Sequence, residues 1–342
     1  MGRWEPILDS LPFSLPTSGM LYLFARFVVV CTTLLILAGS LVTSTGSGLA
    51  VPDWPTTYGW NMFTFPPSMW VGGIFYEHGH RLIASAVGVL TIVLAAWLWL
   101  SERRGWLRRL GLVALAAVIL QGILGGITVL YFLPTPVSTA HAGLAEIFFC
   151  LTVAVAVFTS PGWRKAQGVV DDSRLRRVAT ATTAFIYIQI LLGATMRHMG
   201  AGLAIPDFPL MFGGWLPDHW SGAIAVHFSH RVGALGVALA VAATAGHVWY
   251  HHGDRRELTR PAALLLGLAV LQITLGAWTV LSGRAVTLNS AHVVCGALVL
   301  ATSVVLTLRS WRVRFAAVKA EAVARTPVSG VPPSQDVVGA NV

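Results

Sequence analysis

The sequence predicts an all-α integral membrane protein: eight transmembrane helices in two tandem, pseudo-symmetric four-helix bundles, with both termini cytoplasmic. Three observations predict it. Of 342 residues, 55% are hydrophobic and only 11% are charged, whereas soluble domains carry roughly 25% charged residues. Eight apolar runs approach the ~20 residues that cross a bilayer as a helix. A set of residues also recurs far along the chain, with His80 and His230 standing 150 residues apart.

Taken in order, a polar lead (1–20) precedes the first four-helix half (21–159). A basic linker (160–177) joins it to the second half (178–308), and a tail (309–342) follows. The expected spans are 21–43, 78–100, 109–132, 138–159, 176–196, 226–249, 262–282 and 288–308. Loop 101–109 carries Arg103, Arg104, Arg108 and Arg109, and loop 250–261 carries Arg255, Arg256 and Arg260. The linker and tail are likewise basic, and the alternate loops are nearly free of Lys and Arg. The positive-inside rule therefore puts the basic loops and both termini in the cytoplasm and the long loops 44–77 and 197–225 outside. The tail from about Arg325 reads as disordered. The net charge of +9 follows these loops, so it is membrane topology and not a nucleic-acid footprint.

The repeat is dense. Residues 46–55 (Gly-Ser-Gly-Leu-Ala-Val-Pro-Asp-Trp-Pro) match 200–209 (Gly-Ala-Gly-Leu-Ala-Ile-Pro-Asp-Phe-Pro). Gln121, Gly125 and Thr128 match Gln272, Gly276 and Thr279; Ser138 and His141 match Ser290 and His292. A duplicated unit of four spans keeps one orientation, so the halves are expected to pair about an axis along the membrane normal. The outer loops are expected to lie over the bundles as lids. Cys31, Cys150 and Cys295 lie inside spans without metal-site spacing and read as packing residues.

Chemistry concentrates where the even-numbered spans begin. His80, His141, His230 and His292 each open one, at one expected depth near the outer face. Two imidazoles from facing helices around an apolar cavity suit a six-coordinate haem iron. Each half lacks the third strong ligand that zinc or non-haem iron uses. Arg81 and Arg231 follow two of the histidines and suit haem propionates. Glu77 precedes His80 by three residues, on the same helix face. Its counterpart before His230 is His227, so the carboxylate belongs to one half only. Such an acid can pass protons. Glu146, inside span four, is a second intramembrane acid suited to a proton path or to packing in protonated form. His78, His198, His219, His247, His251 and His252 read as loop or interface residues.

These motifs together resemble the haem A synthase family: Glu-x-x-His-Arg opening span two, His-x-x-His-Arg at span six, single histidines opening spans four and eight, and Gly-x-Gly-Leu outer loops. The resemblance covers about 21–308. It implies oxidation of the C8 methyl of haem O to the formyl of haem A, which supplies haem-copper terminal oxidases. It implies His80 and His141 as ligands of the substrate haem O, His230 and His292 as ligands of a cofactor haem b, and Glu77 as the catalytic carboxylate. Implied surroundings are the cytoplasmic membrane of a bacterium, haem sites toward the outside, an electron donor, and haem O synthase and oxidase-assembly partners; a second copy of the chain is a further candidate. Many members carry a cysteine pair around the loop motif. Here those positions are Val51 and Thr57, and Ile205 and Met211, so no loop disulfide can form. A di-haem b electron-transfer protein predicts two permanent haems and no one-sided acid. A duplicated transporter predicts broken, polar spans.

Overall fold

Eight helices are long and apolar enough to cross a membrane. They are α1 (Ser18–Ser44), α2 (Gly73–Ser101), α3 (Gly105–Leu130), α4 (Thr135–Thr159), α5 (Ser173–His198), α6 (Gly222–His252), α7 (Arg256–Leu281) and α8 (Val286–Ser310). The computed structural model describes residues 18–165 and 171–312. Most of the N-terminal lead, part of the linker and most of the tail lie outside the described residues. No strand occurs among the described residues.

The expected spans are all present, but several helices start earlier. α2 begins at Gly73, so Glu77 and His78 stand inside the helix and not at its lip. α7 begins at Arg256 and takes Arg256, Glu257 and Arg260 into its first turns. Hydropathy marks where a helix enters hydrocarbon, whereas local caps mark where it begins. Asp172 accepts from Leu175 N at 2.9 Å to cap α5, and Ser221 Oγ accepts from Ile224 N at 3.2 Å to cap α6.

α1 packs on α2 and α4, and α3 packs between α2 and α4, closing a ring of four. α5, α6, α7 and α8 close a second ring in the same way. The rings meet through α1, α4, α5 and α8. Phe149 and Val153 of α4 interlock there with Ala297 and Ala301 of α8. In lipid the hydrophobic effect does little between helices, so close contact and polar glue decide. Gly111 of α3 lies against Leu98 of α2, where an added Cβ would come within 2.8 Å. Thr183 Oγ1 lies 2.7 Å from Ser303 Oγ and 2.8 Å from Thr307 Oγ1, joining α5 to α8. Each such bond is worth about 0.6 kcal/mol.

The two long loops cap the same end of the bundle and share one turn. Thr57 pairs with Trp60, and Met211 pairs with Gly214. The central residues have positive φ: Tyr58 at 50° and Gly59 at 78°, Phe212 at 57° and Gly213 at 80°. That geometry is costly for Tyr and Phe. Asp53 offsets it by accepting from Tyr58 N at 2.8 Å and Gly59 N at 2.9 Å. Asp207 does the same for Phe212 N and Gly213 N, both at 2.8 Å. Trp54–Pro55 and Phe208–Pro209 are both cis.

Candidate functional site

Each of the four recurring histidines lies with its ring against a glycine of the preceding helix. Cβ atoms added at Gly39, Gly125, Gly193 and Gly276 would come within 3.0, 3.1, 2.7 and 3.0 Å of Cε1 of His80, His141, His230 and His292. Only glycine leaves room for the rings at that approach. Gly125 and Gly276 stood out in the repeat; Gly39 and Gly193 did not. The rings pair within each half: His80 lies close enough to His141, and His230 to His292, for their charges to interact.

The halves differ at the second ring nitrogen. His230 Nδ1 lies 3.0 Å from Gln189 Nε2, and His292 Nδ1 lies 3.1 Å from the Gln272 carbonyl oxygen. His80 Nδ1 and His141 Nδ1 are buried without a hydrogen-bond partner. His292 thus donates its Nδ1–H to a carbonyl, the way metal-binding histidines are oriented, whereas His230 Nδ1 accepts from the Gln189 amide. In each half a glutamine amide also reaches Nε2 of the later histidine, Gln121 to His141 at 3.3 Å and Gln272 to His292 at 3.4 Å. Gln189 has no polar counterpart, since Leu35 stands four residues before Gly39 as Gln189 does before Gly193. Paired half-buried imidazoles on glycine floors, two with unsatisfied nitrogens, fit a haem in each half.

Glu77 is 3% exposed. Its Oε2 accepts from Val51 N at 2.8 Å, and its Oε1 lies 2.7 Å from Arg81 Nη2. His227 occupies the matching place, with Nδ1 3.2 Å from Ile205 N and Nε2 3.2 Å from Arg231 Nε. A carboxylate can accept from both donors at once, whereas a neutral imidazole accepts at only one nitrogen. The substitution keeps the position and removes a full acceptor.

The sequence pointed Arg81 and Arg231 at propionates; their N–H groups are directed at the loops. Arg81 donates to the carbonyls of Asp53 (2.7 Å), Thr56 (3.0 Å) and Val51 (2.8 Å). Arg231 donates to those of Leu210 (3.0 Å), Ile205 (3.0 Å) and Asp207 (2.6 Å). Proline-rich loops have few N–H donors for their own carbonyls, and a guanidinium with five donors supplies them. His78 also differs from expectation. It is fully buried, 3.1 Å from Thr57 Oγ1 through Nδ1 and packed on Phe65 and Trp70. It holds the first loop down.

Sequence reasoning missed Arg197. It ends α5 between the halves and donates through Nη2 to the Ser40 carbonyl and Ser44 Oγ, each at 2.9 Å. Its Nε is buried without a partner, and among the described residues no carboxylate pairs with it. It lies near enough to His292 for their charges to interact. The hint in the sequence was an arginine on the side otherwise poor in basic residues. Glu146 is buried in α4 with Oε2 unpartnered, near Cys150 and Tyr187 of α5. A lipid-side groove between α2 and α3 is lined by Trp54, Gly88, Ile92, Ile119, Gly122 and Ile123. Trp54 lies on Gly126, where a Cβ would meet the ring at 2.4 Å.

Residues 22–304 match the COX15-CtaA family model, described as cytochrome oxidase assembly protein. The chain is 33% identical to a protein named "Heme A synthase" from Symbiobacterium thermophilum over 71% of this chain and 80% of that one. A protein of the same name from Shouchella clausii is 29% identical over 76% and 86%, respectively. One from Geobacillus kaustophilus is 26% identical over 87% and 93%.

Proposed function

The chain belongs to the COX15-CtaA family of cytochrome oxidase assembly proteins, and from that premise we propose that it works as a haem A synthase, oxidising the C8 methyl of haem O to a formyl group. The first half (21–159) takes haem O between His80 and His141. The second half (178–308) keeps a haem b between His230 and His292. When bound, that haem supplies one-electron chemistry that no side chain here can provide.

The Nδ1–H of His292, held by the Gln272 carbonyl, supports the permanent site, and the unpartnered Nδ1 atoms of His80 and His141 support the exchangeable one. The observation that carries the reading is Glu77 against His227. Of two sites with matched histidine pairs only one has this carboxylate, and the half that has it is the reactive half. Glu77 is the group that takes or returns a proton beside the substrate, and it does so by releasing Val51 N or Arg81. Arg197, with its free Nε, answers a haem carboxylate; Arg81 and Arg231 close the loops over the sites. Glu146 lies inward of His141 on α4 as a proton reserve. The Lys/Arg-poor loops support a location of both sites toward the outer face of a bacterial cytoplasmic membrane. A separate electron donor serves the reaction, and haem O synthase is the natural supplier of substrate.

The test is production with a haem O source, followed by extraction and separation of the haems. The wild-type chain should yield haem A. Glu77→Gln should keep its haem b spectrum and lose at least tenfold in haem A formed. Two tightly held haem b groups and no haem A would instead make the chain an electron-transfer protein.

A further inference from the structure

The opposite end of the second half holds a cluster that the haem chemistry does not use. His247 Nε2 and His252 Nε2 converge on one oxygen, Asp172 Oδ2, at 2.8 and 2.9 Å. All three ligand atoms lie within 4.8 Å of one another. The residues come from the start of α5 and the end of α6. His247 follows His230 by 17 residues on α6, which at 1.5 Å per residue sets the two sites about 25 Å apart.

We propose that Asp172, His247 and His252 form a divalent transition-metal site, with zinc as the best-matched ion, that fastens the start of α5 to the end of α6. Two imidazoles and one carboxylate are the donors that zinc accepts with a fourth position open to water. Hard cations such as magnesium prefer oxygen alone. Metal–ligand bonds of about 2.0–2.2 Å in tetrahedral array separate neighbouring ligand atoms by about 3.3 Å. The two nitrogen–oxygen separations, 2.8 and 2.9 Å, need to open by only roughly half an ångström. Both rings must then carry their proton on Nδ1, which leaves Nε2 as the donor to the ion.

The carboxylate is already aimed. Asp172 Oδ1 accepts from Leu175 N at 2.9 Å, which leaves Oδ2 directed at the rings. The side chains of His247, Asp172 and His252 are only 12%, 18% and 15% exposed. They form a shielded nook and not a solvated charge cluster. The His251 ring lies tilted at 43° against that of His247, centroids 4.5 Å apart, steadying it.

The proposal does not rest on the haem reading, and its test is kept separate from it. Untagged full-length protein in detergent is stripped with a chelator, then titrated with zinc and, as a spectroscopic probe, with cobalt(II). One equivalent should bind per chain, with the visible absorption of four-coordinate cobalt. His252→Gln should weaken binding at least tenfold. Asp172→Asn should do the same while retaining the helix cap, because asparagine caps as well as aspartate does. The haem absorption of both variants should match wild type, which certifies folding and separates this site from the others. If stripped wild-type protein takes up no zinc, or if both variants bind it as wild type does, the three residues are a hydrogen-bonded helix clasp and nothing more.

Discussion

At the scale of single residues, the four glycines under the histidine rings set the tolerance of the paired sites. A methyl group at Gly193 would stand 2.7 Å from His230 Cε1, so the ring has to tilt away. Overpacking of this kind costs about 1–3 kcal/mol. Gly193→Ala should therefore lower the haem b retained through purification, read from the absorbance ratio of haem to protein. Gly267→Ala in α7, which meets open space, should leave that ratio unchanged. The histidines themselves were legible because they recur, and a repeated polar residue in an apolar span is a strong signal. Their floors were half legible, since a glycine in a membrane helix has many reasons to be there. The arginine partners were not legible at all. Backbone carbonyls carry no side-chain signature, so Arg81 and Arg231 looked free for an external carboxylate. His247, His252 and Asp172 escaped because their meeting depends on how α5 and α6 cross.

At the scale of elements, the two outer loops hang on Asp53 and Asp207. Burial works to raise the Asp53 carboxyl, but bonds from Gly59 N, Thr56 Oγ1 and Tyr58 N outweigh it and hold the group below the usual aspartate range. Asp207 is lowered chiefly by Gly213 N, with partial burial opposing and Phe212 N assisting. A carboxyl lowered on folding adds stability that is complete above the unfolded value, about 3.9, and is lost as pH falls through the folded value. The amides of Tyr58, Gly59, Phe212 and Gly213 should thus keep their hydrogen-exchange protection at pH 5 and lose it only as pH falls below the ordinary aspartate value of about 3.9. In Asp53→Asn the first loop alone should be poorly protected at neutral pH. The loops' role as lids was legible from their turn residues and aromatics. Where α2 and α6 begin was not, because their polar first turns are buried by the loops themselves.

At the scale of the whole molecule, the rings of α1–α4 and α5–α8 carry matched histidine pairs but unmatched surroundings. The division of labour predicts unequal consequences for equal mutations. His230→Ala should remove the firmly bound haem b and its bis-imidazole spectrum; His80→Ala should leave that spectrum intact and abolish haem A formation. Equal loss from both variants, seen in spectra of purified protein beside extracted-haem profiles, would reverse or dissolve the assignment. The eight spans and their grouping by fours were legible because a chain in hydrocarbon has few ways to satisfy its backbone. The difference between the halves was legible only at Glu77; the Nδ1 contacts needed the folded chain.

The arginine-stitched loops carry one more consequence. Each lid is fastened to its own helix by three carbonyl contacts from one guanidinium, and the first is pinned again at Glu77 and His78. A roof tied down at so many points is a poor doorway, while the wall between α2 and α3 is grooved, greasy and partly glycine. For a cargo entering there, the concentration that governs traffic would be molecules per lipid, not molecules per litre, and the surrounding membrane would be the reservoir from which the catalyst draws.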